Sequence, residues 1–194
     1  MKHLAAPLTI ALVAAALASC AGESRFRLFG PPLEHEVAQW TRTAKLYDRF
    51  DTILIADAIY NGLPLRQAWV DETTRARHLN EEARLSSLAR EKEENEASAV
   101  FYLAVYTADP QWNSFAGDKA RWTVELTSPA GAARPASIKK IEREDVPWLG
   151  ALPFDPTFRA FYRLEFPRAA AAQGPVTLSV SGLLGSVEFV WRQM

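Results

Sequence analysis

Thr52-Ile53-Leu54-Ile55-Ala56-Asp57-Ala58-Ile59-Tyr60 is the stretch whose reading decides the fold. It is rich in β-branched and apolar residues, shows no polar alternation, and is stopped by Asn61-Gly62. That composition suits a strand covered on both faces, in the interior of a sheet rather than at its edge. A helix is the competing assignment, because periodicity alone does not separate the two for so short an apolar run. After the segment at 63–97 the chain is β-rich to its end. Ala99–Tyr106 is a second apolar run, Arg121–Leu126 alternates, and Phe158–Phe166 alternates again. Ser137–Ile141, with two lysines, reads as a weaker edge strand. Val176–Val180 and Val187–Trp191, joined across Gly182 and Gly185, form a terminal hairpin. The total is about seven or eight short strands, a pattern that predicts a two-layer antiparallel sandwich.

Between the first two apolar runs the character changes. Leu65, Ala68, Trp69, Glu72, Thr73, Ala76 and Leu79 follow a helical repeat, and Pro64 fits a first turn. Asn80 before Glu81-Glu82 reads as an N-cap with acidic residues against the positive end of a second helix. Leu85, Leu88 and Ala89 give that helix a narrow apolar stripe. The remaining surface, with Arg84, Arg90 and Lys92 among Glu91, Glu93, Glu94 and Glu96, reads as a solvated face with helical charge pairs. The expected fold class is therefore mainly β with an α insertion: an antiparallel sandwich carrying a helical hairpin at about 63–97. It resembles immunoglobulin-like domains in this strand pattern alone, since no Cys…Trp…Cys signature is present. Ahead of the first apolar run, Leu33–Trp40 reads as a short helix, and Thr41, Thr43, Leu46 and Tyr47 have strand composition.

The N-terminus carries a different kind of signal. Lys2 and His3 precede an uncharged apolar run, Leu8–Leu17, which is followed by small residues: the three parts of an export signal. The run is short of the ~20 apolar residues that a membrane helix needs. Leu17-Ala18-Ser19-Cys20 resembles the lipobox of bacterial lipoproteins. That resemblance covers residues 1–20. It implies cleavage before Cys20, a diacylglycerol on the cysteine sulfur and acylation of the new amino terminus. It also implies a chain held at the cell envelope by its lipid. Ala21-Gly22, in place of an Asp after the cysteine, points to the outer rather than the inner membrane. Two or three acyl chains anchor a protein stably where one holds it marginally. The organisation expected is a signal at 1–19, a lipidated tether at 20–33 and one sandwich domain at 34–194. Within the tether, Arg25–Phe29 alternates and could pair or pack.

Removing 19 of the 194 residues leaves 175, enough for one domain that buries roughly 70% of its unfolded surface. Loss of Lys2 turns 22 basic against 23 acidic side chains into a mature charge of −2. With no basic block, this argues against nucleic acid as a partner. Cys20 is the one cysteine, so the domain has no disulfide, and packing must supply its stability.

No catalytic constellation is legible. G-x-S-x-G and S-x-x-K are absent, and His35 and His78, the histidines left after the signal, lie in polar stretches with no second histidine three or four residues on. Paired carboxylates from distant strands would leave no local signature. No cofactor or metal is expected. Trp40, Trp69, Trp122 and Trp191 lie in periodic segments and are core candidates. Asp109–Phe115 and Val146–Phe154, by contrast, are long connections carrying large rings. Trp112, Trp148 and Phe154 are the candidate ligand-binding residues, stacking on an envelope glycan or peptide, unless they plug the ends of the core. The functional expectation is a non-enzymatic envelope lipoprotein that engages a protein partner. Glycan or peptide binding is the alternative, and a hydrolase with dispersed carboxylates ranks third.

Overall fold

The computed structural model describes residues 32–172 and 174–192. Cys20, the tether and Arg25–Phe29 lie outside the described residues. The described residues form three α-helices and nine strands: α1 (Leu33–Trp40), β1 (Thr41–Asp48), β2 (Asp51–Tyr60), α2 (Leu63–Ala76), α3 (Glu81–Ala97), β3 (Ser98–Thr107), β4 (Trp122–Ser128), β5 (Gly131–Ala133), β6 (Ser137–Ile141), β7 (Ala160–Pro167), β8 (Val176–Gly182) and β9 (Gly185–Trp191). They make a mixed α/β fold with two antiparallel sheets, ordered β1-β2-β3-β7-β6 and β5-β4-β8-β9. The expected edge strand β6 is at an edge, and the Thr52–Tyr60 run is interior, paired to β1 on one side and β3 on the other. Residues 63–97 are the expected helical hairpin.

Period-two geometry divides the central strands. Leu54, Ala56, Ala58 and Tyr60 of β2 lie in register with Thr107, Val105, Leu103 and Phe101 of β3, on the face that meets the second sheet. Phe101 packs against Trp191 of β9 with centroids 5.2 Å apart and edge-on against Phe166 of β7 at 5.7 Å. Both sheets thus share one core, in which Leu126, Leu178, Val180, Phe189 and Trp191 close the second side. The outer face of the four-stranded sheet alternates polar and half-exposed, as an open antiparallel face should. The outer face of the five-stranded sheet does not. Val100, Tyr102 and Ala104 are buried there beneath the helices and the 142–159 connection. β1 and β9 approach at the margin without pairing: Trp191 Nε1 donates to Trp40 O at 2.9 Å, and Arg42 Nε to Val190 O at 2.9 Å. No ladder joins the sheets, so the body is not a closed barrel.

Three expectations are corrected. The strand read from Phe158 begins at Ala160, which leaves Phe158 in an exposed turn. The stripe on α3 does not pack: Leu85 is 55% exposed, Ala89 is exposed, and the buried residue of that helix is Asn95. The helix is instead held by its ends and by ions. Asn80 accepts from Ala83 N at 2.9 Å as the expected N-cap, and Arg84 bridges Asp71 of α2 at 2.8 Å. Nor is the acidic face wholly solvated, because Glu91 and Glu94 reach Arg66 of α2, which is 2% exposed.

Trp191→Ala removes a fully buried ring that fills the junction of both sheets, and should lower the unfolding free energy by about 3–5 kcal/mol. Leu85→Ala on α3 should change it by less than about 0.5 kcal/mol. Urea unfolding of the two variants checks both figures.

Candidate interaction surface

Strand register places five distant segments at one end of the body. Asp48 pairs with Asp51 at the β1–β2 turn, Leu54 with Thr107 at the end of β3, and Val105 with Ala160 at the start of β7. Trp122 at the start of β4 pairs with Gly182, which pairs with Gly185 across the β8–β9 turn. Gly185 fixes how the two sheets meet at this end. Its φ is +134°, and a Cβ there would stand 3.1 Å from the Leu46 side chain of β1, so the β8–β9 turn abuts the end of β1.

This end is apolar where connections are ordinarily polar. Phe50 at the β1–β2 turn is fully exposed, Leu183 is 93% and Phe158 77% exposed, and Tyr47 and Leu184 are also exposed. Turn chemistry does not ask for these residues. Neither Leu183 nor Leu184 has a positive φ, so any small polar residue could make the turn. The same connections carry Asp48, Asp51, Asp109, Asp118 and Asp155 against Arg49, Lys119, Arg121 and Arg159, a small acidic excess.

The surface is held rather than loose. Asp155 Oδ1 accepts from Thr157 N at 2.9 Å and Thr157 Oγ1 at 2.6 Å, closing a local turn that turns Phe158 outward. The next residue reaches inward. Arg159 Nη1 donates to Ile55 O at 2.6 Å, and its guanidinium lies 5.6 Å from the Phe154 ring centroid. Arg159 Nη2 also stands 2.9 Å from Asp57 Oδ2, as an ion pair without hydrogen-bond alignment. Asp57 is buried on β2, where Thr43 Oγ1 donates to its Oδ1 at 2.5 Å. Burial pushes its carboxyl above the usual carboxylate range, opposed by the Thr43 hydrogen bond and by the Arg159 and Lys45 charges.

The sequence-predicted rings are not brought together. Trp112 is half-buried at this end, edge-on to Trp122 at 6.4 Å, with the Arg121 guanidinium 4.8 Å from its centroid. Its carbonyl accepts from Trp122 Nε1 at 2.6 Å. Phe154 is half-buried under Arg159 and packed on the core. Trp148 is buried elsewhere, over Tyr102 at 5.0 Å. None of the three rings is exposed, and the exposed rings at this end are Phe50, Phe158 and Tyr47. Trp40, Trp122 and Trp191 lie in the core, and Trp69 is packed against it. His35 and His78 are exposed. No group of acidic, histidine or cysteine side chains among the described residues could hold a metal, and no described helix is long and apolar enough to cross a membrane.

Comparison of the chain with protein-family models, curated proteins and solved structures finds no match.

A carboxyl group with a raised folded pKa binds its proton more tightly in the native state than in the unfolded chain, so its contribution to stability falls as pH rises through that pKa. The wild type should therefore lose stability relative to Asp57→Asn as pH climbs from 3.8, the ordinary aspartate value, toward neutrality. Paired melting curves across that range give the sign directly, and a difference independent of pH would remove the assignment to Asp57.

Proposed function

We propose that this chain is a lipid-anchored protein of the bacterial cell envelope, tethered through Cys20 to the outer membrane, whose folded body is a non-enzymatic module that docks an envelope protein through the apolar end. The observation that carries the docking is the convergence of Phe50, Phe158 and Leu183, all largely exposed, from three separate connections. A monomer's scattered surface leucines need no explanation, whereas clustered rings at one end are what an interface presents. The small acidic excess favours a partner patch that is apolar at its centre and basic at its rim. The export signal and the Leu17-Ala18-Ser19-Cys20 pattern support the anchor.

We further infer that the body is an immunoglobulin-like sandwich. In support, β2-β3-β7-β6 matches the order A-B-E-D and β5-β4-β8-β9 the order C′-C-F-G, with β1 added beside strand A and the helical hairpin inserted between A and B. Buried Trp122 then lies at the start of strand C. On this mapping the apolar end carries the B–C and F–G connections, the end from which immunoglobulin variable domains bind. That is an analogy of position, and the functional claim rests on the exposed side chains themselves.

Two measurements test the proposal. A photo-crosslinking residue at position 183, in cells, should give one discrete protein adduct that Phe50→Ser and Phe158→Ser together abolish without lowering the melting temperature. The same probe at position 85, also exposed but on the helical hairpin, should give none. Matching adduct patterns at 183 and 85 would count against docking at this end. Cys20→Ser should move the protein from the membrane fraction to the soluble envelope fraction, and retention on membranes would sink the anchor.

A further inference from the structure

A cavity of about 140 Å³ lies beneath the helical hairpin, on the outer face of the five-stranded sheet. Its lining joins Tyr102 of β3 and Arg163 of β7 to Asn61, Arg66 and Trp69 at the start of the hairpin, with Trp148 among the walls. The volume is close to the ~150 Å³ of an apolar protein cavity that takes up benzene, so a small molecule fits. This cavity is polar.

Two residues of the lining, Arg66 and Asn61, have bonding capacity that no described residue uses. Arg66, 2% exposed, donates through Nε to Asn61 O at 2.9 Å and through Nη1 to Glu91 Oε2 at 2.6 Å and Glu94 Oε2 at 3.2 Å. Its Nη2 makes no hydrogen bond to a described residue. Asn61 is 8% exposed, and only its backbone is engaged: the N–H donates to Val100 O at 2.9 Å, and the carbonyl accepts from Arg66. Its side-chain amide makes no hydrogen bond to a described residue. Both residues line the cavity, and neither atom is among the buried side-chain atoms sealed away without a partner, so the Arg66 Nη2 and the Asn61 amide are open to whatever polar molecule fills it.

Charge and shape narrow its class. The lining presents both signs, Arg66 and Arg163 against Glu91 and Glu94, so an occupant that carries both charges finds a partner for each. Arg163 is itself paired to Glu165. Tyr102 presents a neutral hydroxyl, and burial raises its pKa further above neutrality. Cationic and neutral donors stand on the Arg66–Asn61–Tyr102–Arg163 side, and carboxylates on α3. Two indoles supply apolar walls.

We propose that this cavity binds a free α-amino acid as its zwitterion. The carboxylate meets Arg66 Nη2, the Asn61 amide and the Tyr102–Arg163 side; the ammonium faces Glu91 and Glu94; a small apolar side chain lies against Trp148 and Trp69. The site is independent of the docking end, so either reading can fail without the other.

L-Valine is the probe, titrated into the folded domain and followed by the indole N–H resonances of Trp69 and Trp148. Saturable shifts at both indoles are expected. N-acetyl-L-valine, which lacks the ammonium, and L-valinamide, which lacks the carboxylate, should each bind at least about tenfold more weakly. Asn61→Leu removes the unused amide at near-constant volume, so it should keep the melting temperature and weaken L-valine by about tenfold. Absence of any saturable shift, or equal binding by the N-acetyl or amide compound, would overturn the proposal. So would an Asn61→Leu protein that folds and binds L-valine unchanged.

Discussion

The structure depends on one strand, β3, having no face to spare. Ala99, Phe101, Leu103 and Val105 on one side and Val100, Tyr102 and Ala104 on the other are all within a few per cent of full burial. Because successive side chains point to opposite faces, burying this run requires a separate layer on each side. The second sheet supplies one. The other must come from elsewhere, and the chain supplies it twice: the helical hairpin enters just before β3, and the 142–159 connection returns over the same face before β7. Both additions follow from the apolarity of seven consecutive residues. The outer face of the second sheet, which alternates, needs no cover, and no described α-helix lies on it.

That constraint also explains what could be read in advance. β2 and β3 are legible as interior strands because an uninterrupted apolar run has no solvent-facing side, and Asn80 is legible as a cap because the rule is local. Strand order was not legible. Pairings such as β3 with β7 depend on contacts across about sixty residues that leave no local mark, and the apolar end exists only once those pairings are made. Phe158 reads as strand because its neighbours alternate, and that alternation masks the Asp155-Pro156 turn signal, whose Asx turn delays the start of β7. Arg66 was missed for another reason. Arginine on an amphipathic helix is exposed by default, and its burial follows from the cavity that α2 encloses rather than from its own neighbours. The rings of Trp112, Trp148 and Phe154 were visible as oddities in long connections, yet a ring in a loop carries the same letters whether it plugs a core or meets a ligand.

Docking to a preformed surface loses less entropy than ordering a loose one. The apolar end is preformed by groups that do not themselves face solvent. Arg159 binds a main-chain carbonyl and a buried carboxylate of β2, so the residue beside exposed Phe158 is fixed to the centre of the sheet. Arg121 lies over Trp112, whose carbonyl is bound to Trp122. The β8–β9 turn is seated on Leu46. Each exposed group is thus one or two residues from an anchored one.

Buried ion pairs are a poor source of net stability, since taking two charges out of water costs about as much as their attraction returns. This protein nonetheless buries two of them on one face of one sheet, Asp57 with Arg159 and Arg66 with Glu91. Apolar residues of similar volume would hold the covering layer at least as well, so adhesion alone does not account for either pair. What a hydrophobic contact lacks is direction. Arg159 fixes the orientation of a turn by bonding a carbonyl and a carboxylate at once, which a leucine sliding on the same strand would not do. Arg66 spans the Asn61 carbonyl and two glutamates on α3, setting the spacing between hairpin and sheet and keeping a polar cavity open where an apolar contact would close it. On this argument the ions are retained for position rather than strength, and the two places they position are the docking end and the cavity.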